Sequence, residues 1–479
     1  MLKFSNALPC AQRGMTVAKI FAAAMMAQWP ALSAVAQSDA ATQPAQTMAL
    51  STVPQPIETA QDSYKEPESW GWHWQATNTT QKHGTFTSPY AGAQSLPSVE
   101  GAKETLDTTL FLGVRLWKGA EFYLNPEFDQ GYGLDDTLGV AGFTSADAYK
   151  VGHDTPYARL HRAFLRQTFS LDDGKPELVE SSANNLAGSR SENRLTITLG
   201  KISVPDLFDG NSYAHDPRAD FLNWTVIEAG AFDYAADSWG FSSGAAVEWI
   251  HPDWTLRGGF YAMSKQPNME TLDGTFQQRQ WLLELERHYD LLGHPGAVRV
   301  LGFLTQARMG TYADAVAQGV ALDIAPNTAN VRQYTSKTGY LVNFEQELTP
   351  DLGAFARYSA NDGKTEAYDF TDINQSLSGG VSIKGSYWNE PEHHVGLAFA
   401  VNGLSSQAKA YFAAGGMGIL IGDGQLPHYG MEQILEAYYS ARLNKYVTVT
   451  GDYQFVKNPA YNQDRGPVSV WGLRLHAEL

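Results

Sequence analysis

The stretch ETLDTTLFLGVRLWKGAEFYLNPEF, residues 104–128, decides the fold. Leu106, Leu110, Leu112, Val114 and Leu116 fall on one face of an extended chain, and Asp107, Thr109 and Arg115 on the other. Side chains of a β-strand repeat with this two-residue period. Lys118-Gly119 then turns the chain, and a second alternating run follows at 119–128. Each run is close to the roughly nine to eleven tilted residues with which a strand crosses a bilayer.

The same texture recurs to the last residue. Sixteen segments read as strands: 70–80, 105–117, 119–128, 160–171, 193–201, 240–250, 253–263, 276–288, 296–307, 336–348, 351–360, 375–384, 394–403, 431–443, 445–456 and 468–479. The links after segments two, six, ten and fourteen are tight turns at Lys118-Gly119, 251–253, 349–351 and Asn444. Those after segments eight and twelve, 289–295 and 385–393, are intermediate, and those after odd-numbered segments are longer, up to 202–239. One link, 172–192 after segment four, breaks the trend. Short links on one side and long ones on the other are the pattern of an outer-membrane barrel. The expected fold class is therefore all-β: a transmembrane antiparallel β-barrel of about sixteen strands. Its turns would be periplasmic and its long loops extracellular.

The two faces of each strand assign its surroundings. In 160–171, Ala163, Leu165, Phe169 and Leu171 oppose Arg162, Phe164, Arg166 and Thr168; in 468–479, Trp471, Leu473 and Leu475 oppose Arg474, His476 and Glu478. A charge facing lipid at mid-bilayer costs about 2–4 kcal/mol, so the apolar side belongs to lipid and the charged side to a wet lumen. Trp117, Trp249, Trp254, Tyr289, Tyr446 and Trp471 lie near strand ends, where aromatic girdles sit at the headgroups.

Bulk composition agrees. The 479 residues carry a formal charge of −17, which argues against a nucleic-acid partner. No apolar run reaches the roughly eighteen residues of a membrane helix. Cys10, the one cysteine, falls in a leader with Lys3, Arg13 and Lys19, an apolar core at 20–29 interrupted by Gln28, and an Ala34-Val35-Ala36 cleavage site. The expected organisation is a signal peptide at 1–36, a flexible periplasmic segment rich in Ala, Gln, Thr, Ser and Pro at 37–69, and the barrel at 70–479. An exported chain without that cysteine would have no disulfides.

Several long runs resemble the OprB family of carbohydrate-selective porins. They include FTSPYAGAQSL (86–96), the run at 104–134, GVAGF (139–143), AYKVG (148–152) and PYARLHRAFLRQTFSL (156–171). DLFDGNSYAHDPRADFLNW (206–224), FDYAADSWG (232–240) and NPAYNQDRGPVSVWGLRLHAEL (458–479) complete the likeness. It implies a sixteen-stranded outer-membrane pore for monosaccharides and related polyols, with lipid and lipopolysaccharide around it. It leaves open whether the protein is a monomer or a homo-oligomer such as a trimer. Leu479 departs from the aromatic residue that usually ends such barrels, and the region before Trp70 shows no family match. The alternative reading is a general diffusion porin for small polar solutes, and a distant one is an outer-membrane barrel enzyme.

The stretch 200–240 is expected to fold into the mouth of the pore and narrow it, because so long a loop in a compact domain is usually functional. Asp216, Arg218 and Asp220 are the candidate partners for sugar hydroxyls, and Trp224 or Trp239 the stacking face. On the strand phases, Asp107, Arg115, Asn125, Glu127, Arg162, Arg166 and Arg257 point inward, with Glu121, Arg299, Arg357, Glu432, Glu436 and Arg474. Mixed signs suit neutral polyols better than an ion filter, which would show a ring of one sign. The competing role for each is to brace the wall. In the loop 404–430, SSQAKAYFAA offers a short helix, but a plain extracellular loop is the expectation. No cofactor motif is present. Gly240-Phe241-Ser242-Ser243-Gly244 matches a nucleophile elbow but runs on as a strand, and His393-His394 lacks partners at metal-ligand spacing.

Overall fold

The computed structural model describes residues 67–172 and 176–479; the expected leader and most of the expected flexible segment lie outside these. The strands are β1 (Trp70–His83), β2 (Lys103–Trp117), β3 (Ala120–Gly131), β4 (Tyr157–Ser170), β5 (Pro176–Val179), β6 (Gly188–Ser191), β7 (Arg194–Ile202), β8 (Ser242–His251) and β9 (Trp254–Ala262). They continue as β10 (Arg279–Leu291), β11 (His294–Met309), β12 (Gln333–Thr349), β13 (Leu352–Asn361), β14 (Gln375–Lys384), β15 (His394–Gly403), β16 (Glu432–Asn444), β17 (Val447–Lys457) and β18 (Val468–Glu478). Sixteen of them close into one antiparallel barrel in chain order, while β5 and β6 form a separate hairpin within the link that broke the length rule. Closure runs through β1 and β18, from Gln75 opposite Glu478 to His83 opposite Val470. Leu479 and Trp74 exchange both backbone hydrogen bonds (2.8 and 3.2 Å), a pairing that does not depend on an aromatic side chain.

Burial settles the faces. On β10, Gln280, Glu284 and Glu286 are 0–3% exposed, whereas Trp281, Leu283 and Leu285 are 48–61% exposed. Apolar side chains outside and ionic ones inside invert the soluble-barrel arrangement and match a lipid-facing wall. The alternation expected along β4 fails at one point. Pro126 on β3 has no N–H to give the ladder, and the register slips between Asn125 opposite Arg162 and Pro126 opposite Leu160. Past this bulge Arg159 and His161 turn inward too, His161 fully buried.

The loop 203–241 does not stop at the mouth. It threads the lumen, with a 3-10 turn at Val204–Asp206 and a short helix at Trp224–Ile227. Phe208, Phe221, Val226, Ile227, Ala231 and Ala235 on it are at most 1% exposed. Helices Tyr312–Leu322 and Ser406–Ala413 form in two other long loops, the second within SSQAKAYFAA, where a plain loop was expected. The segment expected to be flexible up to residue 69 is fastened at its end, since Glu68 donates to Ala187 O (3.0 Å) and Ser69 O accepts from Arg115 N–H (2.8 Å).

A charge on the outer face tests the wall assignment. Leu283→Arg should lower the unfolding free energy in lipid vesicles by about 2–4 kcal/mol, read by denaturant titration. Leu292→Arg, in the β10–β11 turn where the side chain is 91% exposed, should cost less than about 1 kcal/mol.

Candidate functional site

A polar loop inside a barrel must find partners for its backbone groups, because an unpaired buried N–H or C=O costs as much as a lost hydrogen bond. The inner wall supplies them. Glu284 accepts from Asp209 N–H (2.9 Å), Glu345 from Ser212 N–H (2.7 Å), and Glu436 from the N–H groups of Leu222 and Asn223 (2.5 and 3.1 Å). Arg357 donates to the carbonyls of Val226 (2.9 Å), Asp209 (3.2 Å) and Ala214 (2.8 Å), and its Nε to Asp209 Oδ1 (3.2 Å). Arg474 holds the carbonyls of Pro217, Ala219 and Asp220 at 2.5–2.9 Å. Tyr213 lies so close over β13 that a Cβ on Gly353 would meet its ring at 1.9 Å.

These anchors press the loop against β10, β12, β13 and β16–β18, and the upper part of the open volume is left beside β1–β4. An upper cavity of about 240 Å³ has wall residues Gln75 on β1, Phe111 on β2 and Arg162 on β4, the rest of its lining coming from loops and the β5–β6 link. A lower cavity of about 170 Å³ is lined by the periplasmic ends of β12–β18 and by Tyr213, Ala219 and Asp220. Only Gln75, Asp216 and Arg218 border both. They form the neck between the two cavities.

Arg218 is fixed there by three carboxylates: Asp107 (3.0 Å), Asp147 (3.2 Å) and Glu127 (3.4 Å). Burial alone would lower its pKa; Asp107, Asp147 and Glu127 overcome that and keep the guanidinium charged. Asp216 Oδ1 accepts from Arg218 N–H (2.9 Å), setting the backbone of the neck. Above it, Lys150 borders the upper cavity with its pKa pulled down to about 8 by burial, an effect Asp369 partly offsets. Thr137 Oγ1, His215 Nδ1, Trp224 Nε1 and Ser238 Oγ belong to residues lining this cavity, are buried, and have no hydrogen-bond partner among the described residues.

The sequence candidates separate into four groups. Arg162, Asp216, Arg218, Trp224 and Trp239 border the upper cavity, and Asp216, Arg218 and Asp220 the lower. Asp107 and Glu127 hold Arg218 from behind. Arg162 is committed to a bidentate pair with Asp206 (2.7 and 2.6 Å), its own charge already answered. Arg115, Asn125 and Arg166 bind the periplasmic link: Arg166 reaches Asn184 O (3.0 Å) and Asn125 reaches Asn184 Oδ1 (2.9 Å). Arg257 borders neither cavity and is bound by Glu248, Glu284 and Glu286 in the wall. The two tryptophans are already in contact with other side chains. Phe143 (4.9 Å) and Phe370 (4.7 Å) both stack on Trp224, and Arg159 lies 3.3 Å over the Trp239 ring.

Residues missed by phase alone are Arg159 and His161, hidden by the bulge, and Asp147, Tyr149 and Lys150 in the link 132–156. The dense runs at 139–143 and 148–152 were the signal that could have found the latter group. Among the described residues, Glu127, Asp129 and His161 bring three possible metal ligands within 4.8 Å of one another. Glu127 Oε1 already accepts from Tyr149 (3.0 Å) and Arg218 (3.4 Å), so the trio belongs to the neck's ion network. Ser242 Oγ, the elbow candidate, donates to Ala262 O (2.6 Å) at the start of β8, with no helix following.

A closed sixteen-stranded antiparallel barrel with an apolar outer belt and an ionic, loop-filled lumen defines a porin-type barrel of a Gram-negative outer membrane. The chain belongs to the OprB family of carbohydrate-selective porins, whose family description matches residues 93–479. The match begins after β1, yet β1 completes the ring. Porin AaxA of Chlamydia abortus (strain DSM 27085 / S26/3) is 22% identical over 286 residues, 59% of this chain and 54% of that protein, so the match spans about half of the relative's length. The high-pH structure of Pseudomonas putida OprB superposes with a TM-score of 0.65 at 17% identity, covering 86% of this chain and 94% of that one. The outer-membrane channel DcaP of Acinetobacter baumannii has a TM-score of 0.47 at 10% identity, covering 86% and 97%.

Two outcomes follow from the anchoring and the charge of the loop. Arg357→Ala strands the buried Asp209 carboxylate and should cost about 3–5 kcal/mol; limited proteolysis should then cut within 203–241 while the barrel itself stays resistant. Burial, reinforced by Asp216, raises the Asp220 pKa to about 6. Its proton is therefore held more tightly in the folded than in the unfolded chain, and the stability this brings is lost as pH rises through about 6. As pH falls through that value the lower cavity loses one negative charge. Reversal potentials should show cation preference declining between about pH 7 and 5 in the parent, and by less in Asp220→Asn.

Proposed function

We propose that this protein is a passive outer-membrane channel that favours glucose-class monosaccharides and related polyols over other small polar solutes. The observation that carries this reading is the neck, where one guanidinium held by three carboxylates is the narrow link between two cavities. Arg218 Nη1, the nitrogen outside these three contacts, can donate to sugar hydroxyls, and Asp216 beside it can accept from them. The guanidinium among the carboxylates means that no ring of one sign lines the neck, and weak binding lets the solute leave. Unpartnered buried groups in the upper cavity add donors and acceptors matched to hydroxyls rather than to ions. Family membership supports the same solute class. No bond is made or broken in this account, and the gradient alone drives flux.

Liposome swelling with glucose-class sugars against amino acids of equal size tests it. The parent should admit the sugars faster, and Arg218→Gln should reduce that advantage by roughly tenfold, the worth of about one charge-assisted hydrogen bond. Equal rates for sugars and amino acids in the parent would make the protein a general diffusion porin instead.

A further inference from the structure

The periplasmic link 171–193 between β4 and β7 is built unlike the other turns at that end. It carries the β5–β6 hairpin, whose tip, residues 180–187, turns into the lumen. Asn184 is held from two strands, by Arg166 on β4 through its carbonyl (3.0 Å) and by Asn125 on β3 through its side chain (2.9 Å). Leu186 N–H donates to the Tyr123 hydroxyl (3.3 Å). Ser182 and Asn185 close the tip with a reciprocal backbone pair (3.1 and 2.9 Å), and Asn184 between them takes the left-handed φ of 58°. Leu186, 4% exposed, sits in a notch that two glycines leave open: a Cβ on Gly71 would lie 3.1 Å from it and one on Gly113 3.3 Å.

The far side of the tip is tied to the chain ahead of β1. Ala187 N–H donates to Glu68 Oε2 (2.7 Å), and Arg115 reaches the carbonyls of Glu68 (3.0 Å) and Ala187 (3.4 Å). A connection between neighbouring antiparallel strands needs only a few residues, and none of this bonding helps to make one. Its position shows another use. Ser182, Ala183, Asn184 and Asn185 line the upper cavity and none of them lines the lower. The tip thus stands between the upper cavity and the periplasm in the sector beside β1–β4, which the loop 203–241 leaves open.

We propose that the tip of the β5–β6 hairpin is a floor that seals the upper cavity toward the periplasm, so that solute can leave only through the neck at Arg218. The proposal rests on the solute path described above but not on its sugar preference. Two fixed elements then share the work, the extracellular loop narrowing the barrel and the periplasmic hairpin closing the bypass that this narrowing leaves.

Replacing 180–187 with Asn-Gly keeps β5 and β6 joined by a two-residue turn. In planar bilayers this variant should conduct about twofold more than the parent and admit larger neutral polyethylene glycols, because exclusion at the neck is bypassed. Arg218→Gln, introduced into both backgrounds, should change conductance in the parent and leave the shortened channel unchanged, the non-additivity expected of coupled sites. A shortened barrel that is folded, judged by heat-modifiable gel mobility, and keeps the parent's conductance and size limit overturns the floor. So does an Arg218→Gln effect of equal size in both backgrounds. Should the shortened chain fail to fold, oxidation of an Asn125→Cys/Asn184→Cys pair decides: unchanged conductance supports a standing floor, and a fall on oxidation shows a tip that normally swings clear. Polyethylene glycol exclusion reads the floor even if swelling shows no sugar preference, so the two readings fail separately.

Discussion

Everything inside this barrel answers to one constraint: a buried loop must hydrogen-bond its own backbone. Water cannot do so where Phe208, Phe221 and Ile227 have excluded it, and neighbouring strands cannot either, because their backbone groups are spent on the ladder. Only side chains remain. Carboxylates can each accept two N–H groups and arginines can fan across several carbonyls. Glu436 does the first with Leu222 and Asn223; Arg357 does the second with Asp209, Ala214 and Val226. Glu432 applies the same chemistry to a different loop, accepting from Ala141 and Gly142 (3.0 and 2.7 Å) and from Ala460 (2.9 Å). Much of the inner wall's charge is thus structural, and its mixed sign reflects a backbone that needs both donors and acceptors.

The same constraint places the passage. Anchors on β10, β12, β13 and β16–β18 hold the loop to one side, which leaves β1–β4 as the free wall. Arg218 rides on the held loop but meets carboxylates from β2, β3 and the link 132–156, so the neck is stitched across the gap between loop and wall. Its charge is thereby fixed in space, with little reorganisation left when a hydroxyl arrives.

How far this was legible in the sequence depends on range. Period-two alternation is local, so all sixteen wall strands could be read, with ends shifted by a few residues. The lumen could not be read in the same way. Inward phase says that Arg257 and Arg162 leave the lipid but not what they bind: the register of β8, β9 and β10 sets Glu248 and Glu284 opposite Arg257, and Asp206 reaches Arg162 from a loop. Trp224 was legible as an aromatic in a polar loop; that Phe143 and Phe370, from two other loops, cover it was not. The bulge at Pro126 had a visible cause, a proline inside a strand, yet which partner residue it would displace depends on the register of β4. The long link at 172–192 was plain as an exception before its inward course could be known.

The pairing of β1 with β18 has a consequence for how such a chain is made. The first strand to emerge and the last are edge to edge in the finished ring. Until β18 exists, β1 has one row of backbone groups with nothing to bind, and a hydrocarbon core tolerates no such open edge. Insertion strand by strand in order of synthesis would leave that edge in lipid throughout. The nascent protein therefore has to reach the membrane whole and unclosed, and shut in a single event that waits on its final eleven-residue strand.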